Sequence, residues 1–312
     1  MKYSLIYFER TNIYPENLEK LKKKFNLISI DNFKNIMKIS KEEIKLIKAI
    51  YVDQNYNFNK KFFQKFKFIK YILSSTTSTS FIDEVYCKNK KIKIFSLEKQ
   101  QEFLKKITPT AEHVFGLIFL ISRNYLKAIE DVESGVFDRR NFAGHKMLSK
   151  SKLGIIGYGR LGKVIKKIAK GFNLTVITYD KAKDKKIKLF NILNKVDYVS
   201  LNIPLRDNNL FFSKKNFQKN FQNKFYLINT SRGEVIDEKF IIDLLKKKIL
   251  LGYATDVVSK EFTNNFSLKK NILFRNRHRY NIVITPHIGG STKDAWKLTQ
   301  NRVIKNLLDY LK

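Results

Sequence analysis

The stretch KLGIIGYGRLG, residues 152–162, decides the fold. An apolar run reads as a buried strand, three glycines follow as G-x-G-x-x-G at Gly157, Gly159 and Gly162, and a lysine-rich amphipathic pattern continues as a helix. Each glycine has its own task in such a turn. Gly157 lets the chain reverse tightly, Gly159 lets a pyrophosphate approach the backbone, and Gly162 lets the helix pack on the sheet. The free amides at the helix start attract phosphate oxygens. Tyr158, Arg160 and Leu161 complete the loop. Asp180 ends the next strand, 18 residues after Gly162, where a carboxylate accepts hydrogen bonds from ribose hydroxyls and repels a 2′-phosphate. The expected cofactor is NAD rather than NADP, a preference softened by the nearby cations Lys181 and Lys183. Alone, the glycine pattern also fits a structural turn without a ligand; the strand, helix and acid around it favour the dinucleotide.

Outward from this loop, strands are expected at 175–179, 198–203, 224–229, 250–254 and 282–285, with helical patterns near 190–194 and at 238–247. That rhythm is a doubly wound α/β domain, a parallel sheet with helices on both faces. A second alternating series precedes it, with strands at 3–8, 26–30, 49–52, 68–73 and 92–96. Its helices are expected at 15–25, with Pro15 in the first turn, and at 40–48, where Ser40 and Glu43 form a capping box. One helix, 110–127, joins the two series, and a loop at 135–149 carries the pair Arg139-Arg140. The last helix, 292–311, is expected to fold back onto the first series. The expected division is a flavodoxin-like substrate domain of residues 1–103 and 288–312, with a Rossmann NAD-binding domain, 104–287, inserted into it.

At 312 residues and 43% hydrophobic content the chain can build two cores. A net charge of +34 ordinarily points to a nucleic-acid or anionic-membrane partner. Of the 62 basic residues, however, 11 are arginine and 51 lysine, and the lysines are spread evenly. Lys22-Lys23-Lys24 lies between Leu21 and Phe25, and Lys246-Lys247-Lys248 between Leu245 and Ile249, as solvated helix faces. Joint enrichment in Lys, Asn, Ile, Phe and Tyr reads as compositional bias rather than a polyanion site, so a nucleic-acid partner is not expected. The single Cys87 cannot form an internal disulfide and fits a reducing compartment. With no apolar run of membrane-spanning length and an amino terminus too short in apolar residues for a signal peptide, a cytoplasmic protein free of the membrane is expected. No metal site is expected.

Three further segments end apolar strands of the second series: LINTSRGEVID (227–237), YATDVVSKEF (253–262) and ITPHIGG (284–290). Ligands bind at the carboxyl ends of strands in open parallel sheets, so Arg232, Asp256, Glu261 and His287 are expected together at the nicotinamide end of the cofactor. In this order, after this glycine loop, the motifs resemble the D-isomer-specific 2-hydroxyacid dehydrogenases, the family of phosphoglycerate dehydrogenase and glyoxylate/hydroxypyruvate reductase. The resemblance covers nearly the whole chain and includes ITPTAEHVFGLIFLISRN (107–124).

The resemblance implies hydride transfer between the nicotinamide and C2 of a small 2-oxo or 2-hydroxy acid, on a homodimer with contacts near 110–127. Such chemistry needs a cation for the carboxylate and carbonyl, a role suited to Arg232. It also needs a group that gives a proton in one direction and takes it in the other, as an imidazole does, and this is His287. A carboxylate on the far ring nitrogen orients such a ring, the role the family resemblance gives to Glu261; it gives Asp256 the nicotinamide carboxamide. It further implies Asn202, Pro204, Thr230 and Gly290 as cofactor contacts and Thr77, Ser78 and Thr79 as substrate contacts. Each residue has an ordinary alternative: Arg232 as a surface ion-pair partner, Glu261 as a solvated carboxylate, His287 as a strand-end core residue. His113 reads as structural, and His145 and His278 lie in polar loops.

The chain departs from the family pattern in places. Ser78 stands where the substrate loop commonly has glycine, Asn202 opens Asn202-Ile203-Pro204-Leu205 where histidine is common, and Phe262 follows Glu261 in place of proline. The segment after Asp180 is short, which puts one peripheral strand in doubt. The sequence stops at Lys312, so no carboxyl-terminal regulatory domain is expected. A competing reading, an NAD(H)-sensing scaffold for a protein or nucleic acid, takes its support from the charge and is opposed by the intact Arg232, Glu261 and His287. The particular 2-oxo acid, phosphorylated or not, stays open.

Overall fold

The computed structural model describes residues 2–181, 189–205, 210–215, 217, 221, 223–263 and 266–312. Its chain divides into two units, Met1–Ile107 with Thr292–Lys312, and Thr108–Ser291. The second is thus an insertion in the first.

The outer unit holds a parallel five-stranded sheet of β1 (Ser4–Phe8), β2 (Asn26–Ile30), β3 (Ile47–Tyr51), β4 (Tyr71–Leu73) and β5 (Lys93–Phe95) in the order β2-β1-β3-β4-β5. Alternation along β1 gives the sheet two buried faces: Ile6 and Phe8 join one apolar cluster and Leu5 the other. The second cluster is closed by Val303, Ile304 and Leu307 of the helix Lys293–Tyr310. Lys22, Lys23 and Lys24 are exposed beside the buried Leu21 and Phe25, as an amphipathic helix end requires. The capping box of Ser40 and Glu43 is formed. β4 is shorter than the expected 68–73, because the chain is still turning before it, with the Ile69 amide donating to the Phe66 carbonyl.

The inserted unit carries β6 (Lys152–Ile156), β7 (Thr175–Tyr179), β8 (Tyr198–Leu201), β9 (Phe225–Asn229), β10 (Leu250–Thr255) and β11 (Ile282–Ile284). All pair in parallel, in the order β11-β10-β9-β8-β6-β7. Again both faces are buried: Phe225 and Leu227 of β9 enter one cluster and Ile228 the other. Both sheets are doubly wound, with the strand order reversing beside β1 in one and beside β6 in the other. Among the described residues no strand lies outside β7, in line with the short segment after Asp180; Lys183 falls outside the described residues.

The expected single helix 110–127 is two. Pro109–Ser122 ends, Asn124 takes the left-handed conformation at φ 50°, and Tyr125–Glu133 starts anew. Asparagine tolerates that backbone region better than most residues, so a polar residue within an apolar pattern breaks the helix. Among the described residues no helix is long and apolar enough to cross a membrane.

Candidate active site

β6 leads into the glycine loop, and its geometry explains each glycine. Gly157 has φ +92°, and a Cβ there would lie 2.4 Å from the Asn202 carbonyl oxygen at the end of β8. A Cβ on Gly162 would lie 2.5 Å from the Gly157 oxygen, so the helix Arg160–Gly171 could not approach the strand end. Gly159, the residue before that helix, has open space where its Cβ would be. This is the arrangement a bulky anion requires: exposed backbone at a twelve-residue helix start with no side chain in the way. Asp180 follows β7 directly. Asn202 donates through its backbone amide to the Ile156 carbonyl at 2.7 Å, and Pro204 is exposed two residues on.

The groups expected to react sit on the other side of the switch, where β9, β10 and β11 lie side by side. Asn229 pairs with Thr255 and Thr255 with Ile284, so the three strands end level. From these ends come Arg232, Asp256 with Glu261, and His287 in turn. Asn229 shapes the first loop: its Oδ1 accepts from the Ser231 amide (3.0 Å) and hydroxyl (2.7 Å), and its Nδ2 donates to the Arg232 carbonyl (3.0 Å). Thr230 beside it is buried, with a hydroxyl that has no protein partner. A Cβ on Gly233 would lie 2.1 Å from the Val258 carbonyl carbon, so only glycine allows the Arg232 loop to touch the segment leading to Glu261. Two carboxylates fasten that segment: Glu234 accepts from the Lys260 amide (2.9 Å) and Glu238 from the Ser259 amide (3.0 Å). Burial pushes the Glu238 carboxyl above its ordinary value.

His287 adopts φ +56° and donates its backbone amide to the Asp256 carbonyl at 2.9 Å. Its Nδ1 lies 2.8 Å from Glu261 Oε1. An ionised carboxylate only accepts, so Nδ1 carries a proton, and the opposite nitrogen, Nε2, is left for proton exchange. Asp256 is 3% exposed and anchors the histidine loop: Oδ1 accepts from Thr285 Oγ1 (2.6 Å) and the Ile288 amide (2.8 Å), Oδ2 from the Gly289 amide (2.7 Å). Since Thr285 donates to Asp256, His113 Nε2, 3.0 Å from the same hydroxyl, is the donor to it. Burial pushes the Asp256 carboxyl up, but hydrogen bonds from His113, Thr285, Gly289 and Ile288 outweigh it and hold the group below its ordinary value. Gly290 is exposed at the end of this loop.

Sequence reasoning missed Asn229, Gly233, Glu234, Glu238 and the link from His113 through Thr285. Of these only Gly233, following an arginine at a strand end, carried a visible signal; the others depend on which loops meet.

In the outer unit, the loop after β4 forms its own hydroxyl network. Ser74 Oγ lies 2.7 Å from Thr76 Oγ1, which donates to the Ser78 carbonyl at 2.7 Å. Thr79, expected among the substrate contacts, is 4% exposed and turns its hydroxyl inward to Glu84, because an unpaired buried hydroxyl would be costly. Thr77 is exposed, and the half-buried Ser78 donates its hydroxyl to Ser80 Oγ at 3.1 Å.

The structure thus combines a parallel switch-point sheet, an anion-ready glycine loop and, at the adjacent strand ends, an imidazole oriented by a carboxylate. Residues 115–289 match the family model described as D-isomer specific 2-hydroxyacid dehydrogenase, NAD binding domain, and the chain belongs to the D-isomer specific 2-hydroxyacid dehydrogenase family. The glyoxylate reductase of Pyrococcus furiosus is 30% identical over 220 residues, covering 64% of this chain and 62% of that protein. The glycerate dehydrogenase of Methylorubrum extorquens is 26% identical over 245 residues, 77% and 75% of the two chains. The chain thus spans 62% of the length of the first of these relatives. A solved D-lactate dehydrogenase from Aquifex aeolicus, complexed with NAD and lactic acid, shares the fold with a TM-score of 0.81 at 22% identity, over 99% of this chain and 95% of that one.

Proposed function

We propose that this protein is an NAD-dependent D-2-hydroxyacid dehydrogenase that interconverts a small 2-oxo acid and its 2-hydroxy acid. The observation that carries the reading is the His287–Glu261 pair at 2.8 Å, level with the strand end that bears Arg232. The residues present fit the cofactor: the open backbone at Gly159 suits the pyrophosphate, and the unpartnered Thr230 hydroxyl suits a polar group at the nicotinamide end. Gly157, Tyr158, Arg160, Leu161 and Gly162 would form the phosphate turn, Asp180 would take the ribose hydroxyls, and Asn202, Pro204, Asp256 and Gly290 would line the rest.

When bound, the nicotinamide supplies or accepts the hydride at C2. Arg232 holds the substrate carboxylate and polarises the carbonyl. In reduction, His287 Nε2 gives its proton to the carbonyl oxygen as C2 gains hydride, and Glu261 stabilises the imidazolium through Nδ1 in the reverse direction.

We infer a homodimer as well. The helix expected to make its contacts, now Pro109–Ser122, is largely buried within its own unit, with Val114, Leu117, Ile118 and Ile121 at 0% exposure. The following helix instead shows Tyr125, Leu126, Ile129 and Val132 at 40–56%, a helical stripe suited to a second copy. The lone, buried Cys87 fits a cytoplasmic protein.

The test is NADH oxidation followed by absorbance with glyoxylate, hydroxypyruvate, pyruvate, 2-oxoglutarate and phosphohydroxypyruvate, each repeated with NADPH. Turnover with NADH preferred supports both the reaction and Asp180 as selector. Silence across this panel, extended to 2-oxo acids with branched aliphatic and aromatic side chains, in a protein that binds NADH sinks the reading.

A further inference from the structure

Phe262 stands where the family resemblance puts proline, directly after Glu261, and neither the glycine loop nor the proton chemistry uses it. The structure puts its ring beside the imidazole of His287, with centroids 5.4 Å apart and planes inclined by 48°. The turn that presents it is held by its neighbours: Lys260 has φ +64°, and its carbonyl accepts from both the Thr263 amide (3.0 Å) and hydroxyl (2.9 Å). Although it packs on His287, Phe262 keeps 43% of its surface exposed, and Ile288, on the other side of His287 in sequence, keeps 44%. Two large apolar side chains are thus left wet around the proposed proton donor.

The geometry of a 2-oxo acid says what would cover them. C2 is planar and carries three groups: the carboxylate, taken by Arg232; the carbonyl oxygen, taken by Nε2 of His287; and one remaining substituent. With the first two fixed, the third must leave C2 on the side of the carbonyl away from the carboxylate, the histidine side. In glyoxylate that substituent is a hydrogen, and Phe262 and Ile288 would stay in water. A branched aliphatic or aromatic substituent would cover them, and each methylene so buried is worth roughly fourfold in affinity.

We propose that Phe262, with Ile288, is a specificity-determining residue that selects 2-oxo acids whose substituent at C2 is apolar and bulky. This rests on the dehydrogenase reading above. It also accounts for an aromatic residue beside the reacting histidine, where a hydroxymethyl or phosphorylated substituent would find no polar partner from Phe262 or Ile288.

Oxamate and N-isobutyloxamate, which have the shape of 2-oxo acids but are not reduced, separate the two claims. Calorimetric titration of each into the NADH-loaded protein should show the isobutyl compound, which adds four carbons, binding at least about tenfold tighter. The ratio should fall towards one in Phe262→Ser and be retained in Phe262→Leu, which keeps apolar bulk. A ratio unchanged by Phe262→Ser, or oxamate preferred by the wild type, overturns the role of Phe262 and leaves the dehydrogenase reading standing. If NADH binds and neither oxamate does, the dehydrogenase reading itself fails and this proposal falls with it.

Discussion

Replacing Asp256 by asparagine tests whether the histidine loop is held by a buried charge. The carboxylate accepts from Thr285 Oγ1 at 2.6 Å, the Ile288 amide at 2.8 Å and the Gly289 amide at 2.7 Å. An asparagine keeps the shape but must turn an NH2 group towards one of these donors. With the NH2 at the Oδ2 position, the Gly289 amide is left buried and unpaired, at about 1–3 kcal/mol, and the two bonds to the other oxygen lose their charge assistance, about 1 kcal/mol each. Relief from burying a charge returns part of this, so the net destabilisation is expected near 2–4 kcal/mol. Because Asp256 titrates below its ordinary value near 3.8, its contribution is present above the unfolded-state value and is lost as pH falls through the lower folded-state value. The gap between wild type and variant should therefore be full at neutral pH and close only in strong acid. Circular dichroism through urea unfolding measures it, and amide exchange at Ile288 and Gly289 localises it. Fluorescence of Trp296, the one tryptophan, serves as a control on the outer unit. A variant within about 0.5 kcal/mol of wild type at neutral pH would refute the anchoring role, since that is the ordinary range of surface substitutions.

Other expectations follow from the site. His287→Ala should lower turnover by about 10²–10⁴-fold with NADH affinity nearly unchanged, as steady-state kinetics beside direct NADH titration would show. Glu261→Gln can still accept from Nδ1 but carries no charge, so turnover should fall by roughly 10²-fold or more while thermal stability changes little. The glycines divide by space: Gly157→Ala meets the Asn202 carbonyl at 2.4 Å and should unfold more readily, whereas Gly159→Ala meets nothing within 4 Å and should fold normally but bind NADH about tenfold more weakly. Ile129→Glu, in the exposed stripe, should convert a dimer to a monomer by sedimentation; an unchanged mass would exclude that face.

Much of this architecture was legible in the sequence because parallel strands buried on both faces read as continuous apolar runs. β1, β6 and β9 fall where those runs lie, within one residue of the expected bounds. The boundaries that moved did so for local reasons: Asn124 takes a left-handed backbone, and residues 66–69 turn before β4 begins. The candidate site divides similarly. Arg232, Glu261 and His287 stand at strand ends and announce themselves by residue type. Glu234 and Glu238 act across loops from elsewhere in the chain, and the inward turn of the Thr79 hydroxyl depends on Glu84, so no local pattern could have shown them.

The insertion of one unit into the other has a consequence for synthesis. Everything needed for the inserted unit has left the ribosome once Ser291 has emerged, while the outer unit, begun first, still lacks Val303, Ile304 and Leu307. Domains tend to fold as units during translation, so the outer unit's sheet must wait, with β4 and β5 lacking the helix that packs on them, until Lys293–Tyr310 arrives. A nascent chain stalled short of Thr292 would carry a finished nucleotide-binding fold joined to a half-dressed sheet, a natural target for chaperones.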